Sequence, residues 1–189
     1  CKSFPSGESV LTIIQGLDFR VKQGESVAIT GPSGSGKSTL LNMMAGLDRP
    51  TSGELRLFGE SIVAWDEDAY AKWRREKVGF IFQDFRLVPS FTALENVTLS
   101  LEILGWDLNK ANERATELLS ELGLAGRLTH FPHQLSGGEQ QRVGIARAFS
   151  HHPNLILADE PTGNLDPETS EHVMSALLRM NQSEQTTLV

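Results

Sequence analysis

Short apolar runs and longer amphipathic stretches succeed one another along the chain. Ser26-Val27-Ala28-Ile29-Thr30 is apolar at its centre and is predicted as a buried strand. A glycine-rich turn follows, then a predicted helix from about Lys37 to Ala45. Leu40, Leu41 and Met44 supply its apolar positions, and Gly46 and Pro50 mark its end. Leu55-Arg56-Leu57-Phe58 alternates before Gly59 and reads as an exposed antiparallel strand, and Val78 to Phe82 as a further strand.

The period then changes to that of helices. Thr92 and Glu95 form a capping box, and Leu94, Val97, Leu101 and Leu104 make one apolar face. A second helix carries Leu108, Ala111, Ala115, Leu118 and Leu122, and Gly123 stops it. A third runs from near Ser136 to about Ser150. Leu155 to Ala158 is a short apolar strand, Glu168 to Met180 the last helix, and Thr186 to Val189 the start of another strand. The order β-α-β, a helical stretch from about 87 to 150, then β-α-β predicts a parallel sheet with a helical insertion.

Composition narrows the class. The chain has 189 residues, 17 Lys plus Arg against 24 Asp plus Glu, and a net charge of −7, which disfavours non-specific binding to nucleic acid. The apolar and charged fractions, 39% and 22%, are those of a globular domain, not of a disordered chain. No run approaches the roughly 20 apolar residues of a membrane span. One cysteine allows no internal disulfide, so a reducing compartment is expected. The chain opens at Cys1 and closes on the strand-like Thr186-Thr187-Leu188-Val189, so both ends read as cut from a longer domain.

Gly31-Pro32-Ser33-Gly34-Ser35-Gly36-Lys37-Ser38, with Thr39 after it, fits the phosphate-loop pattern G-x-x-x-x-G-K-[ST] between a strand and a helix. Glycines let backbone N–H groups converge on phosphate oxygens, and the helix N-terminus adds free N–H groups and the positive end of its dipole. Lys37 offers a cation to the β- and γ-phosphates, and Ser38 a hydroxyl to Mg²⁺. Asp159 and Glu160 end the Leu155–Ala158 strand, where an α/β sheet presents side chains to ligands. Asp159 suits a magnesium ligand, and Glu160 suits a general base for an attacking water. A solvated turn would carry the same two acids. Pairing with the phosphate loop is what favours the metal site.

Leu135-Ser136-Gly137-Gly138-Glu139 opens the third helix. A capping box explains Ser136 and Glu139 but not two glycines in a first turn, which forfeit roughly 1 kcal/mol each against alanine. An anion approaching bare backbone is the simplest reason for them. One nucleotide does not need two such helix starts from one molecule. A head-to-tail dimer, with each nucleotide between one copy's phosphate loop and the other copy's Ser136–Gly138, follows from the chemistry.

Gly31–Thr39, Gln83, Leu135–Glu139, Leu155–Glu160 and Gly163-Asn164-Leu165-Asp166 resemble, in order, the Walker A, Q-loop, signature, Walker B and D-loop motifs of ABC-type ATPases, and the resemblance covers essentially the whole chain. Ala45–Gly53, Val78–Gln83 and Ala93–Val97 look like the macrolide-exporter and lipoprotein-releasing branch. Phe85–Pro89 and Ala146–Phe149 look closest to its YbbA-like members. The resemblance implies an α/β P-loop NTPase fold, a RecA-like parallel sheet with an antiparallel β edge. Residues 1–86 and 151–189 would form the nucleotide-binding core, and 87–150 an inserted helical subdomain. It implies ATP and Mg²⁺ as ligands, and Glu160, Gln83 and Lys37 as the catalytic set. Ser38, Gln83 and Asp159 would hold the metal. Phe4 would stack on adenine, although an ordinary edge aromatic fits that position too. Gln83 would contact Mg²⁺ and the lytic water, its plainer reading being a polar residue ending a strand. Ser136, Gly137, Gly138 and Glu139 would clamp a partner copy's γ-phosphate, and Asp166 would cross between copies.

The family also places a histidine just after the strand that begins at Thr186. His130, His133, His151, His152 and His172 do not stand there, so the chain as it stands is expected to bind ATP and turn over slowly or not at all. His151 and His152, before Pro153, read as a solvated turn, and His130 and His133 as a loop pair without a metal. The resemblance implies an ATPase subunit that powers export through a separate transmembrane permease, at the inner face of the plasma membrane and without nucleic acid. A non-transporting complex that relays ATP-driven motion across the membrane remains open. ABC ATPases of DNA repair or translation usually carry a coiled coil or tandem cassette that does not fit here. A P-loop kinase would leave Ser136–Gly138 unexplained.

Overall fold

A computed structural model describes residues 1–7 and 9–189. Strands β1 (Lys2–Ser6) and β2 (Ser9–Ile14) form an antiparallel hairpin. Helix α1 (Lys37–Met44) follows the glycine-rich turn, and Gly46 in the left-handed region (φ 67°) ends it. A small hairpin, β3 (Arg56–Leu57) with β4 (Glu60–Ser61), precedes α2 (Glu67–Lys77), β5 (Val78–Ile81), α3 (Ala93–Ile103), α4 (Leu108–Glu121) and α5 (Gly137–Phe149). The chain then forms β6 (Leu155–Ala158), α6 (Pro167–Glu184) and β7 (Thr187–Leu188).

The central sheet is parallel in the order β5-β6-β7. Both of its faces are covered, as parallel sheets require. Strand alternation divides β6 between two cores. Ile156 faces a cluster with Val97, Leu118, Val143, Phe149 and Leu177 from α3 to α6. Leu155 and Leu157 face a second cluster with Leu41, Met44, Ile62, Tyr70 and Trp73. Thr92 and Ser136 cap α3 and α5 through reciprocal boxes with Glu95 and Glu139, as their spacing predicts.

Four expectations need correction. Ser26–Thr30 is not a buried strand. Its first part runs beside β7, with Val27 N–H donating to the Leu188 carbonyl at 2.8 Å and Leu188 N–H to that of Glu25 at 3.0 Å. Ala28 and Thr30 are exposed, and the segment's pairing with β7 is a single parallel bridge at Ser26. Leu108 is exposed despite its apolar register, since it is the first residue of α4 at the free tip of the α3–α4 hairpin. Helix α6 runs on to Glu184, where side chains made for it by other elements outweigh the polar composition of its last turn. Arg114 donates to Glu184 Oε1 at 2.6 Å, and Asn181 donates to Ser26 Oγ at 3.0 Å. His151 is not solvated as expected, whereas His152 is exposed. Both ring nitrogens of His151 are buried, and burial lowers its pKa. His152 Nδ1 lies 2.8 Å from Glu184 Oε2.

Candidate functional site

The phosphate loop is exposed, and its helix has no side-chain cap. The first N–H groups of α1 are therefore left to an external acceptor. Gly36 caps the helix in the left-handed region (φ 94°), and a Cβ there would come within 2.8 Å of Ile13 on β2. A side chain at Gly31 would press on Ser35 Oγ at 2.8 Å, whereas the space above Gly34 is open. Ser33, Gly34 and Ser35 are all exposed, with the Ser35 N–H donating to the Pro32 carbonyl at 3.2 Å. Lys37 Nζ folds over the same loop and donates to the carbonyls of Gly31 at 3.0 Å and Pro32 at 3.1 Å. Thr39 stands one residue further into α1, half-buried.

Parallel pairing brings the two acids to this loop. The Asp159 N–H donates to the Ile81 carbonyl at 3.0 Å, which carries the end of β6 one residue beyond β5. Ser38 Oγ donates to Asp159 Oδ1 at 2.9 Å, across 121 residues of sequence. A hydroxyl and a carboxylate side by side form an oxygen donor set that suits Mg²⁺. Glu160 Oε1 is 3.6 Å from Lys37 Nζ. Glu160 is a non-glycine residue at φ 45°, a strained conformation of the kind found at functional sites.

Gln83 is held elsewhere. Its amide donates to Asn164 Oδ1 at 3.3 Å, while Asn164 Nδ2 donates to the Gln83 carbonyl at 3.2 Å and to Asp84 Oδ1 at 3.0 Å. Gly163 leaves room for it, since a Cβ there would lie 2.6 Å from Gln83 Nε2. Asp166 caps α6 by accepting from the Thr169 N–H at 3.0 Å, and hydrogen bonds from Thr169 hold its carboxyl below the usual range.

The turn at Ser136 lies against the loop before α6, not against the phosphate loop. A Cβ at Gly137 would be 3.1 Å from Leu165 Cδ2, and one at Gly138 would overlap Thr169 Cγ2. Close packing inside the chain therefore already explains the smallness of Gly138, which the sequence argument assigned to an anion alone. Glu139 is also engaged locally. It accepts from Ser136 N–H at 2.8 Å and from Arg127 Nε at 2.9 Å, and these hydrogen bonds, the Ser136 one foremost, lower its pKa. Phe4 projects from β1 and is 38% exposed.

Sequence reasoning missed the framework around these residues. Gln141 is fully buried and donates to the carbonyls of Pro161 at 2.5 Å and Phe82 at 3.3 Å, tying α5 to the loops after β5 and β6. Arg147 donates to the carbonyls of Phe85 and Arg86, both in the left-handed region. The tandem Gln140-Gln141, and Arg147 in the apolar second half of α5, are the local signals of these roles.

Residues 14–163 match the family model described as ABC transporter. The chain belongs to the ABC transporter family. Within this ABC family it is 50% identical over 188 residues to the lipoprotein-releasing system ATP-binding protein LolD of Geobacter metallireducens, covering all of this chain and 84% of that one. It is 49% identical over 188 residues to the uncharacterized ABC transporter ATP-binding protein YbbA of Escherichia coli, of which it covers 82%. Among solved structures, a dimeric post-hydrolysis state of the ATP-binding cassette MJ0796 bound to ADP and Pi superposes with a TM-score of 0.89. That chain is 43% identical, and the match spans 100% of this chain and 83% of it. The α/β P-loop fold read from the motifs is thus the fold of ABC cassettes.

Proposed function

We propose that this chain is the ATP-binding and hydrolysing subunit of an ABC export machine and works as a head-to-tail pair. The observation that carries the reading is the convergence of Lys37, Ser38, Asp159 and Glu160 on one open loop. In the proposed reaction the N–H groups of Gly34 to Thr39 bind phosphate oxygens, and Lys37 turns from the loop carbonyls to the β- and γ-phosphates. Ser38 and Asp159 would hold Mg²⁺, joined by Gln83 once its amide leaves Asn164, and the ion would offset phosphate charge. Glu160 accepts the proton of the attacking water, released from Lys37 as the lysine engages phosphate. Phe4 stacks on the base.

Residues 1–86 and 151–189 act as the nucleotide core, and 87–150 as the helical subdomain that presents Ser136, Gly137 and Gly138 to the second copy's triphosphate. Glu139 keeps that turn in shape, and Asp166 lies at the junction of the copies. The dimeric cassette MJ0796 supports the pairing. The lipoprotein-releasing system named for LolD supports export through a separate permease, docked near Gln83 to Val97 at the inner membrane face. No helix among the described residues is long and apolar enough to cross a membrane, so this reading assigns the spans to the partner. The test is Glu160→Gln in the presence of MgATP, with oligomer size followed by light scattering. An ATP-bound dimer that persists supports the proposal. Phosphate transferred to an acceptor, or a monomer at saturating ATP, refutes it.

A further inference from the structure

We infer that Lys2 is a positioning residue for the nucleoside end of the site, fixing the Phe4 ring so that one face stays free for a base. The inference rests on the reading of Phe4 as the base-stacking ring.

Lys2 is only 8% exposed, unusual for a lysine at the start of an edge hairpin. Its ammonium is fully employed. Nζ donates to Asp48 Oδ1 at 2.5 Å and to the Arg49 carbonyl at 2.9 Å, and it lies 4.6 Å from the centroid of the Phe4 ring. An ammonium has three donors, so two hydrogen bonds and one ring face complete its valence. Phe4 nevertheless keeps 38% of its surface exposed, so the cation covers part of the ring and leaves the rest open.

The anchor is what gives this contact a function. The Leu47 N–H donates to the Asn42 carbonyl at 2.8 Å and that of Asp48 to the same carbonyl at 3.3 Å. Asp48 is therefore fastened to the last turn of α1, whose first turn forms the phosphate loop. At the same end of the hairpin, β2 meets the loop directly, through Ile13 against Gly36, beside Ile14, the cross-strand partner of Lys2. Lys2 thus ties the ring to the same rigid helix that offers its N-terminus to phosphate. A ring set at a fixed distance from the phosphate loop can grip base and phosphates together at little cost in ordering.

The test compares MgATP with magnesium tripolyphosphate, which lacks the base, by calorimetric titration of the chain. Lys2→Met keeps the aliphatic stem and removes the charge; it is also made in an Asp48→Asn background, so that no carboxylate is left unpaired. The expected result is about two- to fivefold weaker ATP binding with tripolyphosphate binding unchanged. Phe4→Ala should show the same selective loss, and the Phe4→Ala/Lys2→Met pair no more than Phe4→Ala alone. Lys2→Arg, which keeps a cation over the ring, should retain the parent ratio. If Phe4→Ala is selective but Lys2→Met is not, the inference fails and the stacking reading stands. Parallel loss of both ligands and of melting temperature in Lys2→Met would make Lys2 a strand fastener only, and overturns it. If Phe4→Ala leaves the ratio of the two affinities unchanged, the stacking reading falls and the inference with it.

Discussion

Gly138→Ala separates two reasons for a glycine at the start of α5. Helix propensity alone predicts a gain of roughly 1 kcal/mol, because alanine loses less backbone entropy. The structure predicts the opposite sign. An added Cβ would sit well inside 3.0 Å of Thr169 Cγ2, a distance that real Cβ atoms essentially never show. Turning the methyl aside would take the Thr169 hydroxyl off the Asp166 carboxylate, while the Thr169 N–H, bonded to the same carboxylate at 3.0 Å, holds the backbone. Overpacking of this kind costs roughly 1–3 kcal/mol. Set against the propensity gain, the net loss is about 0–2 kcal/mol, a fall in Tm of up to about 8 °C for a chain of this size. Thr169→Ser removes the offending methyl. The pair Gly138→Ala/Thr169→Ser should therefore be more stable than the two single changes sum to, by about 1 kcal/mol or more in a denaturant double-mutant cycle. If the proposed dimer site is right, the pair recovers stability but not ATPase activity. A Gly138→Ala chain more stable than the parent, or a serine that gives no rescue, would refute the packing argument.

Lys37→Ala should abolish detectable MgATP binding in titration while leaving Tm within about 2 °C, since the lysine bonds only exposed loop carbonyls and a half-exposed carboxylate. Glu160→Gln should lower steady-state ATPase activity by about 10²–10⁴ with ATP affinity retained, as measured by phosphate release and equilibrium binding. Arg114→Ala should cost about 1–3 kcal/mol in urea unfolding, because Glu184 and the carbonyls of Phe149 and Ser150 lose a donor in a largely shielded cluster. His151 has a folded pKa lowered chiefly by burial, so the unfolded chain binds its proton more readily. Stability from this group is complete above about pH 6.5 and is lost as pH falls from there toward the depressed folded value. His151→Gln should flatten that part of the stability curve between pH 5 and 7, read by urea unfolding at each pH.

Several features were legible from neighbouring letters because their causes act within a turn or two of backbone. The phosphate loop needs only glycines at positive φ and a helix start, contiguous from Gly31 to Leu41. The capping boxes at Thr92 and Ser136 are closed by residues three apart. The covering of β6 on both faces follows from an unbroken apolar run. Tertiary structure decided the rest. Whether Ser26–Thr30 is buried depends on what packs beside it, and whether Leu108 is buried on where the tip of α3–α4 projects. Lys2, Gln141, Arg147 and Glu184 find their partners between 20 and 70 residues away, where no local period can point. The sequence by itself determined which side chains could bind phosphate and metal, since residue type and turn geometry set that locally. Only the packed sheet set Asp159 against Ser38 and Glu160 beside Lys37, and only the approach of α6 to α5 gave Gly138 a reason to be small, because distance in space is a property of how whole elements stack.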